Sequence, residues 1–164
     1  MNTLSSSTCD LCDSHKNDTS GSFRVLPPWF TDYGAVHRFE GEISTVRCLE
    51  DNSRVKEAVQ SPGLGRVLVV DGGGSLRRSL LGGNLAADAA KNGWAGVVVI
   101  GAVRDKAELA QCAIGLRAMG LIPMPTDRQN QGQRDVPVQC GEVWIRPGEW
   151  LVADEDGIVV MPSR

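Results

Sequence analysis

The sequence predicts a single mixed α/β domain spanning residues 1–164. Three observations carry that reading. The segments "RVLVVD" (66–71) and "WAGVVVIGAV" (94–103) are near-continuous apolar runs, the pattern of strands buried on both faces. A glycine loop and a helix-like segment lie between them, so strand, loop, helix and strand form a βαβ unit whose two strands run parallel. The stretch 136–162 instead holds short strands split by Cys-Gly, Pro-Gly and Asp-Glu-Asp-Gly turns, an antiparallel meander. A length of 164 residues suits one such domain with a real core and is short for two.

In chain order, "SSSTCDLCDSHKN" (5–17) reads as a short helix introduced by a capping serine or threonine. "SFRVLPPWFTDYG" (22–34) is a loop in which Pro27 and Pro28 force extended backbone. "HRFEGEISTVRCLED" (37–51) alternates, with Phe39, Ile43 and Val46 as core positions and Gly41 as a break, and reads as strand. "NSRVKEAVQSPG" (52–63) is a short helix: Asn52 or Ser53 caps it, Val55 and Val59 share a face, and Pro-Gly stops it. The loop "GGGS" (72–75) follows the first buried strand, and "LRRSLLGGNLAADAAKNG" (76–93) reads as one helix closed by Gly93, with "LRRS" on its solvated face. "DKAELAQCAIG" (105–115) gives another short helix, and "LRAMGLIPMPT" (116–126) a strand ended by prolines.

The net charge of −3 gives no electrostatic ground for a nucleic-acid partner. No run approaches the ~18 to 20 apolar residues of a membrane span. The first twenty residues are polar, so no signal peptide is expected and the expected setting is cytoplasmic. Five cysteines, at 9, 12, 48, 112 and 140, are odd in number and scattered, unlike a secreted disulfide framework. Cys9 and Cys12 form a lone C-x-x-C with no second pair and no histidine at metal spacing, and read as neighbours on one side of a helix. His15 and His37 have no partner pattern around them. Trp94, Trp144 and Trp150 read as core or interface anchors, and Asp154, Glu155 and Asp156 as a solvated acidic turn.

Open α/β sheets bind ligands beyond the carboxyl ends of their strands. Two segments leave such ends, "DGGGS" (71–75) and the pair Arg104–Asp105. Gly82, Gly83, Asn84 and Leu85 lie where backbone N–H groups can point outward at a carboxylate or phosphate. Arg104 offers a planar fork for a carboxylate. Asp105 offers a hard oxygen suited to Mg²⁺ or Mn²⁺ with several waters. Together they would hold a small 2-oxo acid that chelates the metal through its carboxylate and ketone oxygens. The competing reading of the pair is a salt-bridged structural corner. The glycine loop matches neither G-x-x-x-x-G-K-[ST] nor G-x-G-x-x-G, which argues against a nucleotide.

The stretch "GRVLVVDGGGSLRRSLLGGNLAADAAKNGWAGVVVIGAVRD" closely resembles the family of the regulator of ribonuclease activity A, which also contains the 4-hydroxy-4-methyl-2-oxoglutarate aldolases. "LCD" near the start, "GEISTVRCLEDNS", "IGLRAMGLIP" and "GEWLVADEDGIVV" extend the likeness over nearly the whole chain. The resemblance implies a swivelling β/β/α-type fold and a homotrimer with active sites between subunits. For the enzyme branch it implies a class II, metal-dependent aldolase. Such an enzyme cleaves 4-hydroxy-4-methyl-2-oxoglutarate to two pyruvates and decarboxylates oxaloacetate, both through a metal-stabilised pyruvate enolate. Residue by residue, the resemblance implies that Arg104 binds substrate, that Asp105 carries the divalent metal, and that the amides of Gly82, Gly83, Asn84 and Leu85 bind the substrate carboxylate. The aldolases carry an aspartate, twenty residues, then Arg-Asp; counted back from Arg104, that aspartate position is Gly83 here. With one carboxylate missing, decarboxylation is expected to survive better than aldol cleavage, which needs a base for the 4-hydroxyl. Asp88, one turn along the helix, is the substitute within reach of the sequence. The family also implies a rival reading, a non-catalytic regulator that docks on ribonuclease E and inhibits it.

Overall fold

The computed structural model describes residues 4–163. In chain order they form α1 (Thr8–His15), β1 (Arg24–Val25), β2 (Thr31–Asp32), β3 (Phe39–Arg47), α2 (Ser53–Val59), β4 (Val67–Asp71), β5 (Ser79–Leu81), α3 (Gly83–Lys91), β6 (Gly96–Val103), α4 (Lys106–Leu109), β7 (Gly115–Leu121), β8 (Gln133–Arg134), β9 (Val138–Cys140), β10 (Val143–Ile145), β11 (Trp150–Ala153) and β12 (Ile158–Met161). Strands β3, β4, β6 and β7 run parallel in that spatial order, with the short β5 added in parallel beside the end of β6. The first half of β3 pairs instead with β11, which leads through β12 to β1, all antiparallel. One strand thus joins a parallel half-sheet to an antiparallel one, the mixed architecture expected from the contrast between the centre and the tail. Strands β9 and β10 make a separate hairpin.

The continuous apolar runs are explained by burial on both faces. Leu68, Val70, Val97 and Val99 face Val55, Val59, Leu85, Ala86 and Ala89 of the two main helices. Their neighbours Val67, Val69, Val98 and Ile100 face Phe39, Ile145, Leu151 and Val160 on the other side. The period-2 alternation is therefore present, but both phases are apolar because each meets a packed layer. Each such valine contributes about 1.5–3 kcal/mol when removed from water. Phe39 lies flat across β6 and β7, and a methyl group added at Gly96 or Gly115 would fall on its ring.

Several sequence expectations are corrected. The segment 76–93 is not one helix. Leu80 and Leu81 are both buried and form β5, so "LRRS" is a turn entering a strand; the helix begins only at Gly83. Two adjacent buried leucines fit a strand covered on both faces, and Gly82, in extended backbone, supplies the break. Gly41 does not break β3, which runs unbroken from Phe39 to Arg47. Of the tryptophans, Trp94 is core, whereas Trp144 lies exposed. Asp154 is not part of a solvated turn: it is buried and accepts hydrogen bonds from the Thr8 amide (2.8 Å) and hydroxyl (2.6 Å), pinning α1 to the end of β11. Among the described residues no helix is long and apolar enough to cross a membrane.

Candidate active site

The site is built where β5 and β6 end. β5 delivers the chain to Gly82 and the first turn of α3, and β6 delivers it to Arg104 and Asp105. The Arg104 amide donates to the Leu81 carbonyl (3.0 Å), which locks the two exits side by side. Gly82 sits in the angle between them: a Cβ there would stand 2.6 Å from Asp105 Oδ2 and 3.2 Å from Arg104 Cγ. Only a residue without a side chain lets the backbone approach both groups this closely.

Asp105 adopts a left-handed backbone (φ 64°, ψ 46°), a conformation that aspartate reaches more readily than most residues with a Cβ. Its carboxylate is turned back across the exit, where Oδ2 accepts the Gly83 amide at 2.8 Å. Arg104 makes no ion pair with Asp105. Its Nη1 donates instead to the Pro123 carbonyl at 3.3 Å. The salt-bridged corner is therefore not what the chain builds, and both charged heads stay available. Because Asp105 takes the Gly83 amide, a ligand is left the amides of Asn84 and Leu85, which belong to the same first turn, where the helix offers no carbonyl of its own.

A carboxylate from another position lies beside Gly83. Glu108, on α4, lays its side chain against Gly83. A Cβ added at Gly83 would land on Glu108 Oε2 and stand 3.0 Å from Cδ. The space that an aspartate at 83 would fill is occupied by the Glu108 carboxylate, and glycine at 83 is what admits it. The available signal was spacing: Glu108 lies three residues after Asp105, one helical turn on. Asp88 does not substitute, because its Oδ2 accepts from Gln60 Nε2 (3.2 Å) just past the end of α2, away from the site.

The remaining polar candidates lie elsewhere. His37 Nδ1 meets Asp32 Oδ2 at 2.6 Å, and His15 stacks on Phe23 at 4.4 Å between ring centroids. A cavity of about 560 Å³ opens between Pro27, Phe30, Arg117 and Asp154, and one of about 590 Å³ between Cys48, Asp71 and Gln131; neither includes Arg104 or Asp105. Cys9 and Cys12 both lie on α1 and are free thiols. A hydrogen bond to the Asp156 carboxylate pushes the Cys9 thiol up, and burial does the same for Cys12. Burial, with Asp71 nearby, pushes Cys48 and Cys140 up to about 12. Each shift disfavours the thiolate, the form that acts as a nucleophile.

A mixed sheet brings a guanidinium, two carboxylates and a helix N-terminus to one edge of an α/β domain, a donor set that suits a small oxyanion. The chain belongs to the RraA-like family, whose model, described as Aldolase/RraA, matches residues 8–160. It is 58% identical to a protein of Albidiferax ferrireducens named "Putative 4-hydroxy-4-methyl-2-oxoglutarate aldolase", over 99% of this chain and 98% of the relative. A protein of the same name from Alkalilimnicola ehrlichii is 53% identical, with 96% and 95% covered. Among solved structures, the RNA-processing inhibitor RraA from Thermus thermophilis superposes with a TM-score of 0.91 at 44% identity, over 98% of this chain and 94% of that one. A structure named S-adenosylmethionine:2-dimethylmenaquinone methyltransferase, from Geobacillus kaustophilus, also gives 0.91, at 40% identity, with 97% and 96% covered. One fold thus carries three differently named activities, and the choice among them rests on the site.

Proposed function

We propose that the protein is a divalent-metal-dependent 2-oxo-acid lyase that cleaves 4-hydroxy-4-methyl-2-oxoglutarate to two pyruvates and decarboxylates oxaloacetate. The observation that carries this reading is the Glu108 carboxylate against Gly83, which returns a carboxylate to the place where the family's aldolases have an aspartate. Relatives 50–58% identical bear the aldolase name, which supports it.

Mg²⁺ or Mn²⁺ is the ion proposed, with Asp105 as its protein ligand and Glu108 close by. Among the described residues no three His, Cys, Asp or Glu side chains gather into a cage. One or two carboxylates, with the other positions left to water and substrate oxygens, is a donor set that suits Mg²⁺. Bound there, the ion draws electron density from the 2-oxo group.

The chain's own residues do the rest. The Arg104 fork and the amides of Asn84 and Leu85 grip the C1 carboxylate and the 2-oxo oxygen, and they hold the negative charge that develops there. Glu108 takes the proton of the 4-hydroxyl. The C3–C4 bond then breaks, its electron pair enters the new C2=C3 bond, and one pyruvate leaves; protonation of C3 yields the second. Oxaloacetate loses its C4 carboxylate as CO₂ along the same electron path and needs no base at a hydroxyl. With Glu108 beside Gly83, both reactions are expected, and Glu108 serves only the first.

Arg104 and Asp105 line an open edge of the single chain, flanked by exposed Leu76, Leu121 and Met124. An apolar rim beside an incomplete site supports the homotrimer, with a neighbouring subunit closing the site. The rival reading, docking on ribonuclease E, is supported by the likeness to the Thermus inhibitor. One experiment separates the two. Pyruvate release from both substrates is measured with Mg²⁺ and with EDTA, above the rate of free metal, for the protein and for Asp105→Ala. EDTA-sensitive turnover that Asp105→Ala lowers by ~10³-fold or more establishes the lyase. No turnover above free metal in folded protein, with binding to ribonuclease E intact in Asp105→Ala, establishes the regulator.

A further inference from the structure

Asn52 occupies the N-cap of α2, where asparagine is among the preferred residues because its side chain caps the first turn. Here it does not: no side-chain capping bond forms, and the Asp51 carboxylate takes the Ser53 amide instead (2.8 Å). The Asn52 carboxamide is buried and spent on two distant segments. Its Nδ2 donates to the Leu80 carbonyl (3.1 Å), two residues before Gly82. Its Oδ1 accepts from Thr126 Oγ1 (2.8 Å) and Arg128 Nε (2.9 Å). A guanidinium Nε only donates and a carbonyl only accepts, so the carboxamide has one possible orientation and all its bonds are needed in that sense.

Thr126 and Arg128 belong to a strap, residues 122–132, that leaves β7 and crosses the end of the parallel sheet. The strap's own bonds return to the site. The Ser79 amide donates to the Met124 carbonyl (2.8 Å), and Arg104 Nη1 donates to the Pro123 carbonyl (3.3 Å). At its far end, Asp51 Oδ2 accepts the amides of Gln129 (2.7 Å) and Gln131 (3.3 Å). Arg104 therefore stands between two segments, tied by its backbone to Leu81 and by its guanidinium to Pro123, and Asn52 bridges the same two segments from behind.

We infer that Asn52 is a positioning residue of this site: its buried carboxamide sets the spacing between the 80–85 segment, which carries the anion-binding amides, and the 122–128 strap, which aims the Arg104 guanidinium. The inference rests on the lyase reading of the site. Aspartate keeps the acceptor for Thr126 and Arg128 and loses the donor to Leu80; leucine or alanine loses both. Loosening the spacing displaces Arg104 relative to the α3 amides, and a displacement of about 1 Å between groups that grip one substrate costs up to ~10²-fold in rate.

The test compares Asn52→Asp, which cuts the tie to β5, with Thr126→Val, which cuts a tie to the strap at a half-buried position. Steady-state kinetics with oxaloacetate, a Mg²⁺ titration of the rate, and amide hydrogen exchange are recorded on each. The expected result is a fall of about 10- to 10²-fold in kcat/KM for Asn52→Asp and a smaller fall for Thr126→Val, with KM raised as well as kcat lowered, because Arg104 and the α3 amides hold both the bound carboxylate and the charge that develops. The Mg²⁺ midpoint should stay within about twofold, because Asp105 is not on either tie, and exchange should quicken at 80–85 and 122–128 alone. A merely structural Asn52 would lower the active fraction, so that kcat falls with KM unchanged and exchange quickens across β4 and β6; that result overturns the inference. If the unsubstituted protein turns over neither substrate, the lyase reading fails, and exchange alone decides the bridge. Quickening confined to both segments upholds it, and none, or quickening everywhere, overturns it.

Discussion

Glycine at position 83 is informative only together with the residue that uses its space. In sequence it marks a lost carboxylate; in the folded chain it is the gap through which Glu108 reaches the same place. Glu108→Gln is expected to slow cleavage of 4-hydroxy-4-methyl-2-oxoglutarate by ~10²- to 10⁴-fold, the usual worth of a general base. Oxaloacetate decarboxylation should fall far less, and coupled assays of pyruvate release on both substrates read the ratio. The geometry also makes a rescue testable. Gly83→Asp in the otherwise unchanged protein collides with Glu108 and should impair both reactions, whereas Gly83→Asp combined with Glu108→Ala should recover part of the cleavage rate. A double variant no faster than Glu108→Ala would place the base elsewhere. That Arg104, Asp105 and the start of α3 meet at one sheet edge was legible, because charge at the exit of a buried strand and a glycine-rich helix start both show in the sequence. Glu108 was not, because an exposed glutamate on a short helix has many neighbours equally close in sequence, and only the turn at Asp105 aims it.

The elements that carry the site are held by a few buried contacts. Phe39 spans β6 and β7 and lies within 5.3 Å of the Arg117 guanidinium, so Phe39→Ala opens a cavity under both parallel strands. A loss of about 3–5 kcal/mol is expected, read as a lower denaturant midpoint with an unchanged slope. Asp154 holds α1 in place. Burial pushes its carboxyl up, but the hydrogen bonds from Thr8, Asp156 and Gly157 outweigh that and leave it below the usual aspartate value. Such a group gives its full stabilisation above the unfolded pKa of about 3.9 and loses it as pH falls through the lower folded value. Asp154→Asn is therefore expected to cost about 1.5–3 kcal/mol at neutral pH and to flatten the acid limb of a melting-temperature profile. The strand pattern of the sequence resolved most elements; it missed β1 and β2 inside the segment read as a loop, overran α4, and failed at residues 76–82. There a three-residue strand beside a helix start leaves a hydrophobic period too short to read, and neighbouring β6 decides the outcome.

At the scale of the molecule, β3 matters most, because it belongs to both half-sheets and fixes how the helix-covered layer and the antiparallel layer meet. The site lies at the edge this arrangement leaves open, beside exposed Leu76, Leu121 and Met124. The homotrimer proposed here predicts a particle of three times the chain mass in sedimentation. Met124→Asp should dissociate it and lower turnover together; a monomer with full activity would refute the shared site. The sequence alone determined the parallel centre, the antiparallel tail and the charged exit at Arg104–Asp105. These follow from local periodicity and from the cost of burying charge, which act over a few residues. Only the tertiary structure decided that Arg104 and Asp105 stay unpaired, that Glu108 fills the space beside Gly83, and that Asn52 bridges to the strap. Each of these depends on where segments distant in the chain come to rest, and a hydrogen bond or a van der Waals gap is set by tenths of an ångström that no spacing in the sequence encodes.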